Sequence, residues 1–138
     1  MADTLDAAQR SERMARIKGK HTRPEMFVRK LVHGMGFRYR LHGKDLPGHP
    51  DLVFRKRRCA IFVHGCFWHR HASPDCKRAR LPKSRLDFWL PKLEENERRD
   101  QRVLRELHEL GWKTLVIWEC ELADHASLET RIQAFLTA

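Results

Sequence analysis

Apolar and polar positions follow two different periods along the chain, and the switches between them mark out its elements. Phe27, Val28, Leu31 and Val32 recur at helical spacing. They follow Thr22-Arg23-Pro24-Glu25, where Thr22 can cap and Pro24 suits the first turn; Gly34 and Gly36 then end the helix. Phe37 to His42 alternates apolar with polar residues and reads as a strand. After the turn Leu46-Pro47-Gly48-His49-Pro50, Asp51 to Phe54 reads as a second strand, and Arg55 to Arg58 as a basic hairpin turn. Cys59 to His64 is almost continuously apolar, the pattern of a central strand covered on both faces. Cys59 itself reads as a buried thiol.

Residues 65–83 form a loop rich in His, Cys, Pro and basic side chains. A long helix is expected after it, capped by Ser84, kinked at Pro91 and running through Leu104, Leu107 and Leu110 to Gly111. Lys113 to Trp118 is a fourth strand, with Trp112 and Trp118 expected as packing residues. Ser127 to Leu136 is a last amphipathic helix. The order predicts an antiparallel meander, then a crossover to a parallel fourth strand. That is a single α/β domain with a central mixed β-sheet flanked by helices.

Two stretches break these patterns. In the long helix the inward line from Leu93 to Leu104 passes through Asn96, Glu97 and Asp100, so its middle either borders a polar site or is a solvated face. The stretch from Phe62 to His71 holds three histidines, a cysteine and the Phe67-Trp68 pair, more imidazole, thiol and indole than folding needs. Asp51 and His64 fall at the same end of the sheet if their strands are hairpin neighbours. Asp51, with the Val63 carbonyl, suits a divalent cation such as Mg²⁺, which takes a sparse oxygen site. His64 and His69 suit acid or base work near neutral pH, and Asp100 is a candidate orienting partner for one of them. Cys66, His71, Cys76 and Cys120 make a plausible tetrahedral Zn²⁺ set, structural if all four ligands come from the protein. Phe67, Trp68 and Trp89 suit stacking on bases or wedging between base steps.

Composition narrows the class. The chain has 138 residues, enough for one domain with a real core, and carries a formal charge of +10, which points to a polyanion. The basic first 22 residues read as an arm that follows phosphate and lays Met14 and Ile17 in a groove, or as a frayed tail. No apolar run approaches a membrane span and no signal-peptide core is visible, so the expected compartment is the cytosol. There the four cysteines are expected as metal ligands or plain thiols rather than disulfides.

The sequence resembles the very short patch repair DNA mismatch endonucleases of bacteria. The pieces that carry the resemblance are Arg10-Ser11 with Met14, Thr22-Arg23-Pro24-Glu25, Leu46-Pro47-Gly48-His49-Pro50-Asp51, His64-Gly65-Cys66-Phe67-Trp68-His69, Phe88-Trp89, Asn96 with Arg99-Asp100, and Leu110-Gly111-Trp112 through Trp118-Glu119-Cys120. The resemblance implies a restriction-endonuclease-like fold, with a basic arm over 1–22 and an endonuclease domain over 23–138. It implies a Mg²⁺-dependent nick 5′ of the thymine in a T:G mismatch left by deamination of 5-methylcytosine. By position it implies Asp51 as the metal carboxylate, His69 oriented by Asp100 as the group that activates water, His64 as an assistant at the phosphate, and Glu25 as support through water or a histidine. Phe67, Trp68 and Trp89 would form a wedge beside the mismatch, Met14 and Ile17 an arm in the opposite groove, and Lys92 and Asn96 contacts to the mismatched pair. Cys66, His71, Cys76 and Cys120 would hold structural zinc, with Asp75 or His69 as the alternative to Cys76. The Glu-x-Lys pair usual in nucleases is replaced by Val63-His64-Gly65, which moves the proton work to histidine. The expected state is a monomer on the bacterial nucleoid, with mismatch-repair proteins as partners. Two rivals are a zinc-stabilised module that bends DNA without cutting it, and a related nuclease with another mismatch or structure preference.

Overall fold

A computed structural model describes residues 22–71, Cys76, Ala79 and residues 84–138. The first helix, α1 (Arg23–Gly34), begins as its sequence predicts: the Thr22 hydroxyl accepts from the Glu25 N–H, and proline occupies the first turn. Val28 and Val32, one turn apart, are fully buried, each contributing roughly 1.5–3 kcal/mol of hydrophobic stabilisation.

Four strands follow in the order β1 (Arg40–Leu41), β2 (Leu52–Phe54), β3 (Cys59–His64) and β4 (Lys113–Trp118), which is also their order in the sheet. β1, β2 and β3 pair antiparallel, and β3 and β4 pair parallel. The long helix α2 (Leu86–Glu109) makes the crossover, and α3 (His125–Thr137) closes the chain. This is the predicted mixed sheet.

Alternation along the strands sorts the core into two layers. Leu52, Phe54, Cys59, Ile61 and Ile117 face α1 and α3, meeting Val28, Val32, Leu128, Ile132 and Leu136. Val53 and Phe62 face the other way, onto Val103 and Leu107 of α2. β3 is thus covered on both faces, as its apolar run requires, and Cys59 is a fully buried core thiol.

Three local expectations are corrected. The first strand is far shorter than Phe37 to His42, because Phe37 and Tyr39 pack against the core while only Arg40 and Leu41 reach the β2 ladder. Ser84 does not cap α2; Arg85 precedes the helix in the left-handed region with no side-chain cap, and α2 continues through Pro91. The last helix starts earlier than Ser127, because the Asp124 side chain accepts from the Ser127 N–H and draws His125 and Ala126 into the first turn.

Candidate active site

A cleft of about 780 Å³ opens at the end of the sheet where β3 finishes. The start of α1, the turn at Gly48 and His49, the tip of β3 and the polar middle of α2 form its walls. Asp51, Val63, His64, His69 and Asp100 all line it.

Asp51 enters from the residue before β2. Its Oδ2 accepts from the Val63 N–H at 2.7 Å, which ties β2 to β3 where the hairpin register ends. Glu25 comes from the first turn of α1 and is 2% exposed. Its Oε2 lies 2.9 Å from His42 Nε2 and 3.4 Å from Arg29. The donor atoms of Glu25, His42 and Asp51 lie within 4.8 Å of one another. Burial raises the Asp51 carboxyl to about 6; the Val63 N–H opposes this and the neighbouring Glu25 charge reinforces it. Crowded carboxylates of this kind, destabilised by mutual repulsion, fit a hard divalent cation, which would relieve them.

His64 is 7% exposed and its ring stacks on that of His69, 3.8 Å apart and within 5° of parallel. Burial, together with the adjacent His69, lowers His64 to about 3 against the opposing pull of Asp100, so it is neutral near pH 7. His69 Nδ1 lies 2.5 Å from Asp100 Oδ2, a short, charge-assisted contact. The donor atoms of His64, His69 and Asp100 also lie within 4.8 Å of one another, so these three residues could hold a cation. The polar gap in the stripe of α2 is therefore a wall of the site: Asp100 reaches His69, and the Asn96 side-chain amide donates to the Trp68 carbonyl at 3.1 Å.

Behind the histidines sits the cysteine cluster. The donor atoms of Cys66, His71, Cys76 and Cys120 lie within 4.8 Å of one another, with Cys120 Sγ and His71 Nδ1 3.3 Å apart. Tetrahedral zinc with these ligands separates its donor atoms by about 3.5–3.8 Å, so the set fits Zn²⁺. The thiols have opposed tendencies: burial pushes Cys66 up to about 12, whereas at Cys76 burial is outweighed by hydrogen bonds from His71, Cys66 and Cys120, which bring it down to about 7. A cation that deprotonates every thiol resolves that conflict.

Three aromatics gather beside the cleft. Phe67, Trp68 and Trp89 meet edge to face with centroids 5.2–5.7 Å apart. Lys92 does not line the cleft; its Nζ lies 4.4 Å from the centre of the Phe88 ring. Met14, Ile17, Asp75 and nearly all of the basic arm lie outside the described residues. Sequence reasoning missed His42, whose position at the end of the short edge strand gave no sign that it faces Glu25. Trp118, expected as a packing residue, packs against the site's histidines: its ring stacks on His71 at 4.3 Å and 14°, and meets His64 edge-on at 5.2 Å.

The comparisons with known proteins point one way. The family model described as DNA mismatch endonuclease Vsr matches residues 2–78. The type II nicking enzyme V.XorIIP of Xanthomonas oryzae pv. oryzae is 51% identical over 99% of this chain and 98% of its own length. The type II nicking enzyme V.NmeAIP of Neisseria meningitidis is 42% identical, covering 96% of this chain and 92% of its own. The DNA mismatch endonuclease Vsr of Escherichia coli is 42% identical over 93% of this chain and 80% of its own.

Proposed function

Because the chain belongs to the Vsr family of DNA mismatch endonucleases, we propose that it nicks duplex DNA on the 5′ side of the thymine in a T:G mismatch and so starts very short patch repair. The observation that carries this reading is the convergence of Asp51 and the His69–Asp100 pair on one cleft bordered by a cluster of aromatic rings. A mixed sheet with Asp51 just before β2 bonded to Val63 near the end of β3 supports a restriction-endonuclease-like reading of the fold.

Asp51 and the Val63 carbonyl would hold Mg²⁺, which would supply positive charge for phosphodiester hydrolysis. His69 takes the proton of the attacking water, and Asp100 stabilises the imidazolium that results. His64, neutral and buried, serves as a hydrogen-bonding partner of the phosphate rather than as a charge. Glu25 supports Asp51 through His42. Cys66, His71, Cys76 and Cys120 would hold structural zinc, which would stiffen the loop carrying Phe67 and Trp68. Those two residues and Trp89 wedge beside the weak base pair, the arm with Met14 and Ile17 meets the opposite groove, and Lys92 and Asn96 contact the mismatch.

The test is a panel of duplexes carrying each mismatch in several flanking contexts, incubated with Mg²⁺ and resolved on denaturing gels. A nick confined to the thymine strand of T:G is expected. Equal rates on paired and mispaired duplexes would remove the repair assignment, and no nick with any divalent cation would leave a DNA-bending module.

A further inference from the structure

We propose that Trp118 is the positioning residue for His64, holding that imidazole against the zinc-binding cluster. The inference rests on the reading of His64 as a group at the scissile phosphate.

A histidine that does chemistry is ordinarily oriented by a hydrogen bond at its second nitrogen. His64 departs from this: among the described residues its buried Nδ1 has no hydrogen-bond partner. The outer torsion of an imidazole is broad and roughly two-fold, so something else must hold the ring. Neighbouring rings do so. His69 covers one face at 3.8 Å, Trp118 presents at 5.2 Å and 76°, and Phe62 lies at 5.7 Å.

All three are held, His69 by Asp100 and Phe62 within β3 itself, and Trp118 is the one held from the neighbouring strand. It pairs with His64 across the parallel β3–β4 ladder, so both side chains leave the same face of the sheet. Its backbone N–H donates to Glu121 Oε1 at 2.8 Å, and Glu121 accepts in turn from Arg131 at 2.8 Å. The His71 ring stacks on the indole at 4.3 Å, and Cys120 follows two residues later. The result is a continuous column from His71 through Trp118, His64 and His69 to Asp100. One end belongs to the set of side chains that could hold a metal, and the other is the His69–Asp100 pair.

A residue that only filled space would change stability and leave the reaction alone. A positioning residue changes the rate at saturating DNA, and only while His64 is present. The experiment compares Trp118→Leu and Trp118→Phe in the zinc-loaded full chain. Single-turnover nicking of a T:G duplex is measured with Mg²⁺, duplex affinity with Ca²⁺, and zinc by atomic absorption. Trp118→Leu is expected to slow nicking by about ten- to a hundredfold, the scale of a small misplacement of a reacting group. Duplex affinity should stay within about twofold and zinc at about one per chain. Trp118→Phe, which keeps a ring in place, should recover the rate to within about threefold of the parent. Added to His64→Ala, Trp118→Leu should slow nicking no further.

Three results would overturn the proposal. One is an equal loss of rate in the Leu and Phe variants. Another is a deficit that multiplies that of His64→Ala. The third is loss of zinc both in Trp118→Leu and in a second variant, Trp118→Met, which would mark the indole as structural. Full activity in His64→Ala alone would instead remove the reading of His64, and this inference with it.

Discussion

Gly48→Ala is the sharpest probe of how the cleft is held open. Gly48 lies in the turn before Asp51 with φ of +72°, and a methyl group there would sit 2.4 Å from Val103 Cγ1 and 3.1 Å from Cγ2. Val103 lies in α2 close beyond Asp100 and itself lines the cleft. The substitution therefore wedges the Asp51 wall away from the Asp100 wall. Two costs add. A left-handed backbone costs a residue with a Cβ about 1–2 kcal/mol. Overpacking against a branched side chain in a helix costs roughly 1–3 kcal/mol. The sum is about 2–5 kcal/mol, which for a domain of this size lowers Tm by about 6–20 °C. Calorimetry of the zinc-loaded chain measures the fall, and Val103→Ala separates the parts. In the double variant the two closest contacts are gone and only the Cβ at 3.3 Å remains, but the backbone cost of about 1–2 kcal/mol stays. The two changes together should therefore destabilise by about 1–3 kcal/mol less than their separate effects added. A Gly48→Ala melt within about 2 °C of the parent, or strictly additive effects, would refute the packing argument.

The other predictions concern the site. Asp100→Asn removes the charge-assisted contact of 2.5 Å to His69, worth about 1.5–3 kcal/mol, so single-turnover nicking should slow by about 10–150-fold with duplex affinity kept; a change below about threefold would separate Asp100 from the reaction. Cys120→Ser should release zinc, seen by atomic absorption, and lower Tm by more than about 10 °C; undiminished metal content would refute the four-ligand set. Burial, reinforced by Glu25, holds the Asp51 carboxyl at about 6, above its ordinary 3.8. A proton thus competes with the cation below that value, and Mg²⁺ affinity by titration calorimetry should weaken about tenfold per pH unit beneath it and level off above; an affinity flat from about pH 5 to pH 7 would exclude Asp51 as ligand. By the same linkage, without the cation the stabilising contribution of Asp51 protonation is complete below 3.8 and is lost as pH rises through about 6.

What the sequence alone determined is local and periodic. A spacing of three and four residues reports which side of α1 meets the core, and an unbroken apolar run reports that β3 is covered twice, because burial is written into residue types along a single element. The polar gap at Asn96 and Asp100 was legible for the same reason: polar groups on an inward face need partners. The grouping of Cys66, His71, Cys76 and Cys120, a set that could hold a metal, was legible because thiol and imidazole in that density suit few other purposes.

Tertiary structure alone decided the partnerships between elements. That His42 faces Glu25 depends on how the edge of the sheet docks on α1, which no local pattern records. That Arg85, in the left-handed region and without a side-chain cap, immediately precedes α2 is not what capping preference selects. That Trp118 meets the His64 ring depends on the parallel register of β3 and β4, which sets it opposite His64. An indole at the end of an apolar strand carries the same sequence signature whether it fills a core or holds a catalytic ring. The difference lies in the side chains around it, and long-range packing chooses those.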